Sequence, residues 1–274
     1  MSTFLGIILG IIAFACLYLG KGLQKYAIVG YQKKATTLGE KGKNIWIWIA
    51  GLCLTGSFLF IHWVALKFAL ISVIAPMEGL GLIILCFFSY FVLKESIDRI
   101  KTYGIIFILV GLVLTTIFMP SPEEIPLYFD NTLFIIFLSV VMGIFLLLTL
   151  YTKLSNWRAV GVILGSFAGA FMCFQTLTKR ISWMPGFEFH TFIMFLFAGA
   201  TLIMTNIAFI KADAVIVVPS FTSMSITLPT IFAIFLFREP VVPLQWVGII
   251  IIVFGVILLT AFSAGGEPEN SKEI

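Results

Sequence analysis

The segment Ser72-Val-Ile-Ala-Pro-Met-Glu-Gly-Leu-Gly-Leu82 places a proline and a carboxylate inside an apolar run that continues almost to Lys94. An ionised acid surrounded by hydrophobic sequence is costly unless it faces a partner or water. Glu78 is also the only carboxylate well inside any long apolar stretch of the chain. The rest of the sequence must therefore supply a reason for this acid.

The composition is that of a membrane protein. Hydrophobic residues make up 61% and charged residues 11% of the 274 residues, and the mean hydropathy is +1.13. A soluble domain carries about a quarter charged residues, so lipid must be the solvent for most of this chain. Backbone groups in lipid are paired within each segment, which favours helices of roughly 20 residues.

Nine such helices are predicted, so the expected fold is an all-α polytopic membrane protein. The predicted spans are residues 3–20, 45–66, 70–93, 102–119, 132–151, 159–178, 190–210, 214–237 and 243–263. Alternation typical of membrane strands is absent from the sequence, which argues against a barrel.

Basic residues predict the orientation, because cytoplasmic loops carry an excess of Lys and Arg. The loop 21–43 holds six lysines and is therefore placed in the cytoplasm. Threading nine spans from this loop puts 13 of the 17 basic residues inside; the other four are Lys67, Lys179, Arg180 and Arg238. The expected location is the plasma membrane, with the N-terminus outside and the C-terminus cytoplasmic.

Several functional classes have no support in the sequence. The four cysteines lie in different spans without metal-site spacing, so neither a disulfide framework nor a zinc site is indicated. HExxH, GxSxG and paired membrane aspartates are missing, and neither an enzyme nor a cofactor is expected. The net charge of +4 follows from topology and predicts no nucleic-acid partner. The expected partners are the bilayer and a small-molecule or ion substrate, and a homodimer is left open.

The chain contains an internal repeat. Ala65-Leu-Lys-Phe-Ala-Leu-Ile-Ser-Val-Ile-Ala-Pro76 aligns with Ala208-Phe-Ile-Lys-Ala-Asp-Ala-Val-Ile-Val-Val-Pro219 at an offset of 143. Downstream, Lys94-Glu95 matches Arg238-Glu239 at an offset of 144, and the following helices each carry two glycines seven residues apart. Small residues at that spacing let helix backbones approach closely in lipid.

The repeat divides the chain into two halves around a central helix. The predicted parts are a first transmembrane repeat in residues 1–131, a connecting fifth helix in 132–158, a second repeat in 159–263 and a cytoplasmic tail in 264–274. Corresponding helices are five crossings apart, so the second half is inverted relative to the first. Inverted repeats are typical of secondary transporters, in which two half-structures share a central site.

Proline recurs at the same place in both halves. Span three holds Pro76 before Glu78, and span eight holds Pro219 and Pro229. Proline removes a backbone donor and kinks or unwinds a helix, and the freed carbonyl is tolerated where it lines a cavity or is buried in protein. Paired breaks facing one central cavity are therefore predicted.

Candidate binding groups surround these prolines. Ser220, Ser223 and Thr227 share a helix face by spacing, with Thr222 and Ser225 beside them. These hydroxyls could bind a hydrated ion or a polar solute, or equally bond to carbonyls of their own helix. Glu78 is a candidate substrate or metal ligand, with a proton-coupling site and a buried structural donor as alternatives.

Other polar residues are weaker candidates. His62 in the preceding span could approach Glu78 or occupy the polar interface, and Asn206 and Gln175 could bind substrate or join helices by hydrogen bonds. Lys94-Glu95 and Arg238-Glu239 end spans three and eight, where each is either a gating pair or helix cap, or a solvated ion pair.

The repeated pattern of proline, Lys/Arg-Glu and a glycine-containing helix resembles the EamA-type half-module of the drug/metabolite transporter superfamily. The layout resembles, more narrowly, the NIPA-like magnesium transporters, through segments such as Lys21-Gly-Leu-Gln-Lys25, Trp46-Ile-Trp-Ile-Ala-Gly51 and Leu164-Gly-Ser-Phe167. This chain has Phe60 where NIPA-like proteins commonly have Asn. It has Met77-Glu-Gly79 where they usually read Leu-Gly-Ala.

The resemblance implies transport by alternating access. The specific expectation is Mg²⁺ or another divalent cation as substrate, since magnesium prefers oxygen ligands and keeps several waters. The alternative is an EamA-type carrier of metabolites, amino acids or amphipathic cations. A non-transporting membrane scaffold is the remote alternative.

Overall fold

The computed structural model describes residues 2–32, 38–93, 99–118, 128–154, 160–212 and 214–261, and these parts contain helices but no strand. The α-helices are α1 (Ser2–Gln32), α2 (Leu38–Phe68), α3 (Ile71–Ile74), α4 (Glu78–Phe88), α5 (Arg99–Ile117), α6 (Asn131–Leu154), α7 (Val160–Ile181), α8 (His190–Lys211), α9 (Ala214–Phe237) and α10 (Pro243–Ala261).

The predicted polytopic helical fold is confirmed, and each of the nine predicted spans contains helix. Within the described residues, seven helical stretches are long and apolar enough to cross a membrane by length and composition. Two shorter apolar stretches, Thr102–Thr115 and Pro243–Leu258, lie in α5 and α10. The chain is a multi-pass membrane protein.

The predicted end of the first span is wrong. α1 continues to Gln32 and α2 already begins at Leu38, so most of the predicted loop 21–43 is helix. The side chain of Lys21 is only 8% exposed. Lysine is a good helix former, and its aliphatic stem packs well, so a charge need not end a helix.

The two prolines of the repeat differ in their effect on the helix that contains them. At Pro76 the chain tightens into a 3-10 turn, Ala75–Met77, between α3 and α4. The Ser72 carbonyl, which loses its helical donor to Pro76, accepts a hydrogen bond of 3.2 Å from Gln245 Nε2 of α10. The predicted break in span eight is not observed, because α9 runs without interruption from Ala214 to Phe237. The freed carbonyl of the first half therefore joins α3 to α10.

The helices of the two halves pack in corresponding ways. α1 packs on α2 and α4 in the first half, and α7 packs on α8 and α9 in the second. α5 and α10 occupy equivalent positions in the repeat and pack against each other. The two sets of helices thus form a bundle in which α5 and α10 cross between the halves.

The predicted glycine contacts lie at the α5–α10 crossing. A Cβ atom on Gly111 would lie 2.6 Å from the carbonyl oxygen of Gly248, and one on Gly255 would lie 2.8 Å from that of Gly104. Gly104 is equivalent to Gly248 in the repeat, and Gly111 to Gly255. Gly111 thus meets the counterpart of Gly104, and Gly255 meets the counterpart of Gly248. Only glycine permits this approach.

Candidate functional site

A hydrogen-bonded chain connects the two halves at Glu78. The side chain of Glu78 begins α4 and is 1% exposed. Tyr18 of α1 donates its hydroxyl proton to Glu78 Oε1 over 2.9 Å, and the same hydroxyl lies 2.7 Å from Thr222 Oγ1 of α9. Because a tyrosine has one proton to donate, Thr222 is the donor to Tyr18. Tyr18 thus links the buried acid of the first half to a hydroxyl of the second half.

A lysine and a further hydroxyl surround the same carboxylate. Ser225 of α9 lies near the Glu78 side chain and donates its hydroxyl proton to the Thr222 carbonyl over 3.1 Å, and the charge of Lys21 acts on the carboxylate electrostatically. The Lys21 ammonium lies 3.2 Å from the centroid of the Phe221 ring and 5.3 Å from that of Tyr18, within cation–π range. The acid is therefore set among hydroxyls, aromatic rings and one cation.

Glycine at position 81 explains how Tyr18 reaches the acid. A Cβ atom on Gly81 would overlap the Tyr18 ring. With hydrogen in that place, the ring lies directly on the backbone of α4, one turn after Glu78. The Glu78-Gly-Leu-Gly81 segment therefore supplies both the carboxylate and the surface on which its partner rests.

A cavity of about 270 Å³ adjoins this site at Lys21. It lies between α1, α2, α7 and α8, and most of its wall is apolar. Its polar lining residues are Lys21, Gln24, Thr55, Gln175, Thr201 and Thr205. Lys21 therefore belongs both to the cavity wall and to the surroundings of Glu78.

His62 does not reach Glu78 and does not occupy an exposed interface. Its Nδ1 atom lies 3.0 Å from the ammonium of Lys179, and both side chains are buried. Phe58 stacks on the His62 ring at 4.9 Å, and the Lys179 ammonium lies 4.4 Å from the centroid of Phe58. The structure thus separates a basic pair, Lys179–His62, from the acidic site.

Glu239 is a helix cap, and its partner is not the neighbouring Arg238. The buried Glu239 carboxylate accepts the backbone N–H groups of Ile71 at 3.2 Å and Ser72 at 3.1 Å, at the start of α3. Burial raises the pKa of Glu239, while these N–H groups and the charge of Arg180 oppose the rise. Arg238 is exposed, with its guanidinium 4.0 Å from the centroid of the Tyr128 ring. The equivalent pair Lys94-Glu95 lies outside the described residues.

Ser220 and Asn206 of the second half contact other residues of that half. Ser220 faces Gly165 of α7, where a Cβ atom would lie 3.2 Å from that of Ser220, and Ser223 and Thr227 are half-buried. The side chain of Pro219 lies outside the described part. Asn206 donates to the Leu202 carbonyl of its own helix. The hydroxyl of Ser225 lies near the acid, and that of Thr222 is linked to the acid through Tyr18.

Sequence reasoning missed Tyr18 and Lys21. Both belong to a helix that was predicted to end at residue 20, which separated the tyrosine from the lysine. Their spacing of three residues places them on one helix face once the helix continues. An aromatic and a basic residue at that spacing, near the end of an apolar span, was the available signal.

The site could hold a cation through oxygen atoms. Glu78 supplies a carboxylate, and Tyr18, Thr222 and Ser225 supply hydroxyl oxygens. No group of three or more His, Cys, Asp or Glu side chains able to hold a metal occurs within the described residues. A metal at this site would therefore have a single acidic ligand and would retain water.

The comparisons with known proteins agree with this architecture. Residues 2–182, which are 181 of the 274, match the family described as Magnesium transporter NIPA. The chain belongs to the NIPA family. It also shares with EamA-like proteins of the drug/metabolite transporter superfamily the layout predicted from the repeat. No solved structure shows a significant match.

This NIPA-family chain is also similar to shorter proteins. One is the probable 4-amino-4-deoxy-L-arabinose-phosphoundecaprenol flippase subunit ArnE of Pseudomonas savastanoi pv. phaseolicola, 32% identical over 99 residues. The match covers 35% of this chain and 86% of the relative. The ArnE protein of Pseudomonas fluorescens Pf0-1 is 30% identical over 108 residues, with 39% and 94% covered.

The relatives define the broad class of the chain. Nearly a whole ArnE subunit matches little more than a third of this protein. The family and these relatives are named for transport or flipping, and none of them is named as an enzyme. The NIPA-family chain is thus a membrane transporter of the drug/metabolite transporter type.

Proposed function

We propose that this protein carries a cation across the plasma membrane by alternating access, with Mg²⁺ as its substrate. The observation that carries the proposal is the position of Glu78, the one acid well inside a predicted span, at a contact between the halves. A cation bound there would touch groups of both halves at once. Its binding would favour one arrangement of the halves over another through differential contacts.

The donor set suits a partly hydrated ion. Magnesium is bound through oxygen and usually keeps several waters, with one or two carboxylates from the protein. Glu78 can supply the carboxylate, and the hydroxyls of Thr222 and Ser225 can bind the ion or its waters. In this proposal the two moving halves are residues 1–131 and 159–263. The N-terminus lies outside, and Glu239 is a helix cap on the outer side.

The test is flux in reconstituted vesicles. Purified protein is placed in liposomes holding a magnesium-sensitive dye, and saturable Mg²⁺ entry is expected. Glu78→Gln removes the charge at constant size and should lower entry roughly 100-fold, a loss of about 2.7 kcal/mol. Glu188→Gln is the matched control, since Glu188 is exposed and bonds only to its own turn; its entry rate should equal that of the unaltered protein.

Absence of Mg²⁺ entry by folded protein would overturn the substrate assignment. Equal entry by the Glu78 variant and the control would instead remove Glu78 from the route. Folding is checked independently by gel filtration and by thermal unfolding in detergent.

A second candidate is a carrier of amphipathic amines. The Lys21 ammonium, held against the Phe221 ring beside Glu78, shows that an alkylammonium group fits there. The adjoining cavity has mostly apolar walls that suit an alkyl chain, and the ArnE relatives are named as flippase subunits for an amino sugar on a lipid phosphate.

The same vesicles separate the two candidates. A fluorescent long-chain alkylamine is added to the bilayer, and its movement between leaflets is measured by quenching from outside. Movement of the amine without Mg²⁺ entry would establish the second candidate, and Mg²⁺ entry without amine movement would exclude it.

A further inference from the structure

Lys21 is a buried cation with no partner of the usual kind. It is 8% exposed, and within the described parts of the chain its ammonium makes no hydrogen bond and no ion pair. An ammonium has three donors and is strongly hydrated in water. Two aromatic faces and the charge of Glu78 are what hold it.

We propose that Lys21 is an internal competitor of the transported cation. Its ammonium neutralises Glu78 while the site is empty, and it moves into the adjoining cavity when a cation binds. The inference rests on the proposed function in one respect, namely that Glu78 is the acid that meets the substrate.

Electrostatics favours such an exchange. A buried, ionised carboxylate without a positive partner is strongly destabilising, so the charged form of Glu78 needs a cation beside it in the empty site. A substrate cation and the Lys21 ammonium repel each other beside one acid, and a divalent ion repels the ammonium twice as strongly. The site therefore holds either the lysine or the substrate.

The structure provides a place for the displaced ammonium. Lys21 already forms part of the wall of the 270 Å³ cavity, and its flexible four-carbon stem can turn toward it. Gln24 and Thr55, whose side chains carry oxygen atoms, line the same cavity, and Gln24 Nε2 lies 3.3 Å from Thr55 Oγ1. The ammonium would exchange aromatic faces for hydrogen-bond acceptors.

The exchange has a kinetic consequence. A carrier that moves substrate in one direction must return empty, and here it would return with its acid neutralised by Lys21. Without the lysine, the empty carrier would have to reorient around a bare buried charge. Net transport should then slow, while exchange of one bound ion for another, which never uses the empty carrier, should continue.

The test compares Lys21→Met with Lys25→Met, a matched change one helical turn further along α1. Binding of Mg²⁺ is measured by calorimetry, net entry with the dye, and exchange by mass spectrometry of ²⁵Mg²⁺ against ²⁴Mg²⁺. Lys21→Met should bind Mg²⁺ about 10-fold more tightly, a change of about 1.4 kcal/mol. Its net entry should fall at least 10-fold, while its exchange rate stays within a factor of about two of that of the unaltered protein.

The control results define what would overturn the proposal. Lys25→Met should behave like the unaltered protein in all three measurements, and Lys21→Arg, which keeps the charge, should recover net entry relative to Lys21→Met. Weaker Mg²⁺ binding by Lys21→Met, or equal loss of net entry and exchange, would show that the lysine assists binding and does not compete.

A measurement without substrate separates this inference from the proposed function. In protein labelled with ¹³C-lysine, the Lys21 methylene signals should carry a ring-current shift that Phe221→Leu removes. Glu78→Gln takes away the attracting charge and should also reduce this shift. A Lys21 signal that is unchanged in Glu78→Gln would overturn the pairing of Lys21 with Glu78, whether or not Mg²⁺ is transported.

Discussion

The two halves of the molecule share an architecture but not a chemistry. The first half contributes Tyr18, Lys21 and Glu78 to the central site, whereas the second contributes hydroxyls and the Phe221 ring. Position 78 aligns with 221 or 222 by the offsets of the repeat, so an acid in one half faces an aromatic ring and a hydroxyl in the other. Helix packing is thus preserved by the repeat, while the polar groups at its centre have diverged.

The largest effect should come from moving the acid to the other half. Glu78→Thr alone should lower cation entry roughly 100-fold, about 2.7 kcal/mol, because the buried site loses its charge. Adding Thr222→Glu should recover roughly 10-fold, since Tyr18 contacts both positions. Entry rates in vesicles measure both effects, and no recovery in the double variant would show that the acid must stand on α4.

The next effect concerns the crossing of α5 and α10, to which each half contributes two glycines. Gly111→Leu puts a side chain against the backbone of Gly248 and should destabilise the protein by about 2.5 kcal/mol. Gly143→Leu is the matched control, because a Cβ at Gly143 would meet nothing within 4 Å. Thermal unfolding in detergent compares them, and equal unfolding temperatures would contradict the close crossing of α5 and α10.

A smaller effect is expected from removing the Glu239 carboxylate, with which the second half caps helix α3 of the first half. Glu239→Ala leaves the N–H groups of Ile71 and Ser72 and the charge of Arg180 without their carboxylate. The expected loss is about 2 kcal/mol, read from thermal unfolding. Glu239→Gln keeps an acceptor and should lose about half as much. A loss no larger than that of Glu188→Gln would show that the cap does not stabilise α3.

The smallest effect should follow from removing the donor to the carbonyl freed by Pro76. Gln245→Leu leaves the buried Ser72 carbonyl without its hydrogen bond and should cost about 1 kcal/mol. In a variant that also carries Pro76→Ala, the helical donor returns and the cost of Gln245→Leu should disappear. Equal costs in both backgrounds would mean that the bond does not compensate for the proline.

Much of the fold could be predicted because lipid leaves few alternatives. Long apolar helices and the recurrence of Ala65–Pro76 at a fixed offset were enough for the nine spans and for the corresponding packing of α5 and α10. The helix ends could not be predicted, since a lysine such as Lys21 ends an apolar pattern without ending a helix. The proline at position 76 was correctly linked to a local change, but Pro219 was not, because tertiary packing decides whether a proline interrupts a helix.

The site could be predicted only in part. Glu78 was identifiable from its cost in apolar sequence, and Thr222 and Ser225 from their place in the repeat. Which of five neighbouring hydroxyls face the acid depends on the rotation of α9, and spacing alone favoured Ser220, Ser223 and Thr227. The sequence did not identify Tyr18 as a site residue, because a tyrosine near the end of a membrane span is more often an interface residue.

The glycine crossing of α5 and α10 has a consequence for the energy of transport. Because Gly111 meets Gly248 and Gly104 meets Gly255, interchanging the conformations of the two halves exchanges these two contacts and returns the same pair. In the proposed alternating-access cycle, such a pivot would contribute equally to the inward-open and outward-open forms and would favour neither of them. Any preference between the two forms must therefore come from groups that the repeat does not duplicate, and Glu78 and Lys21 are such groups.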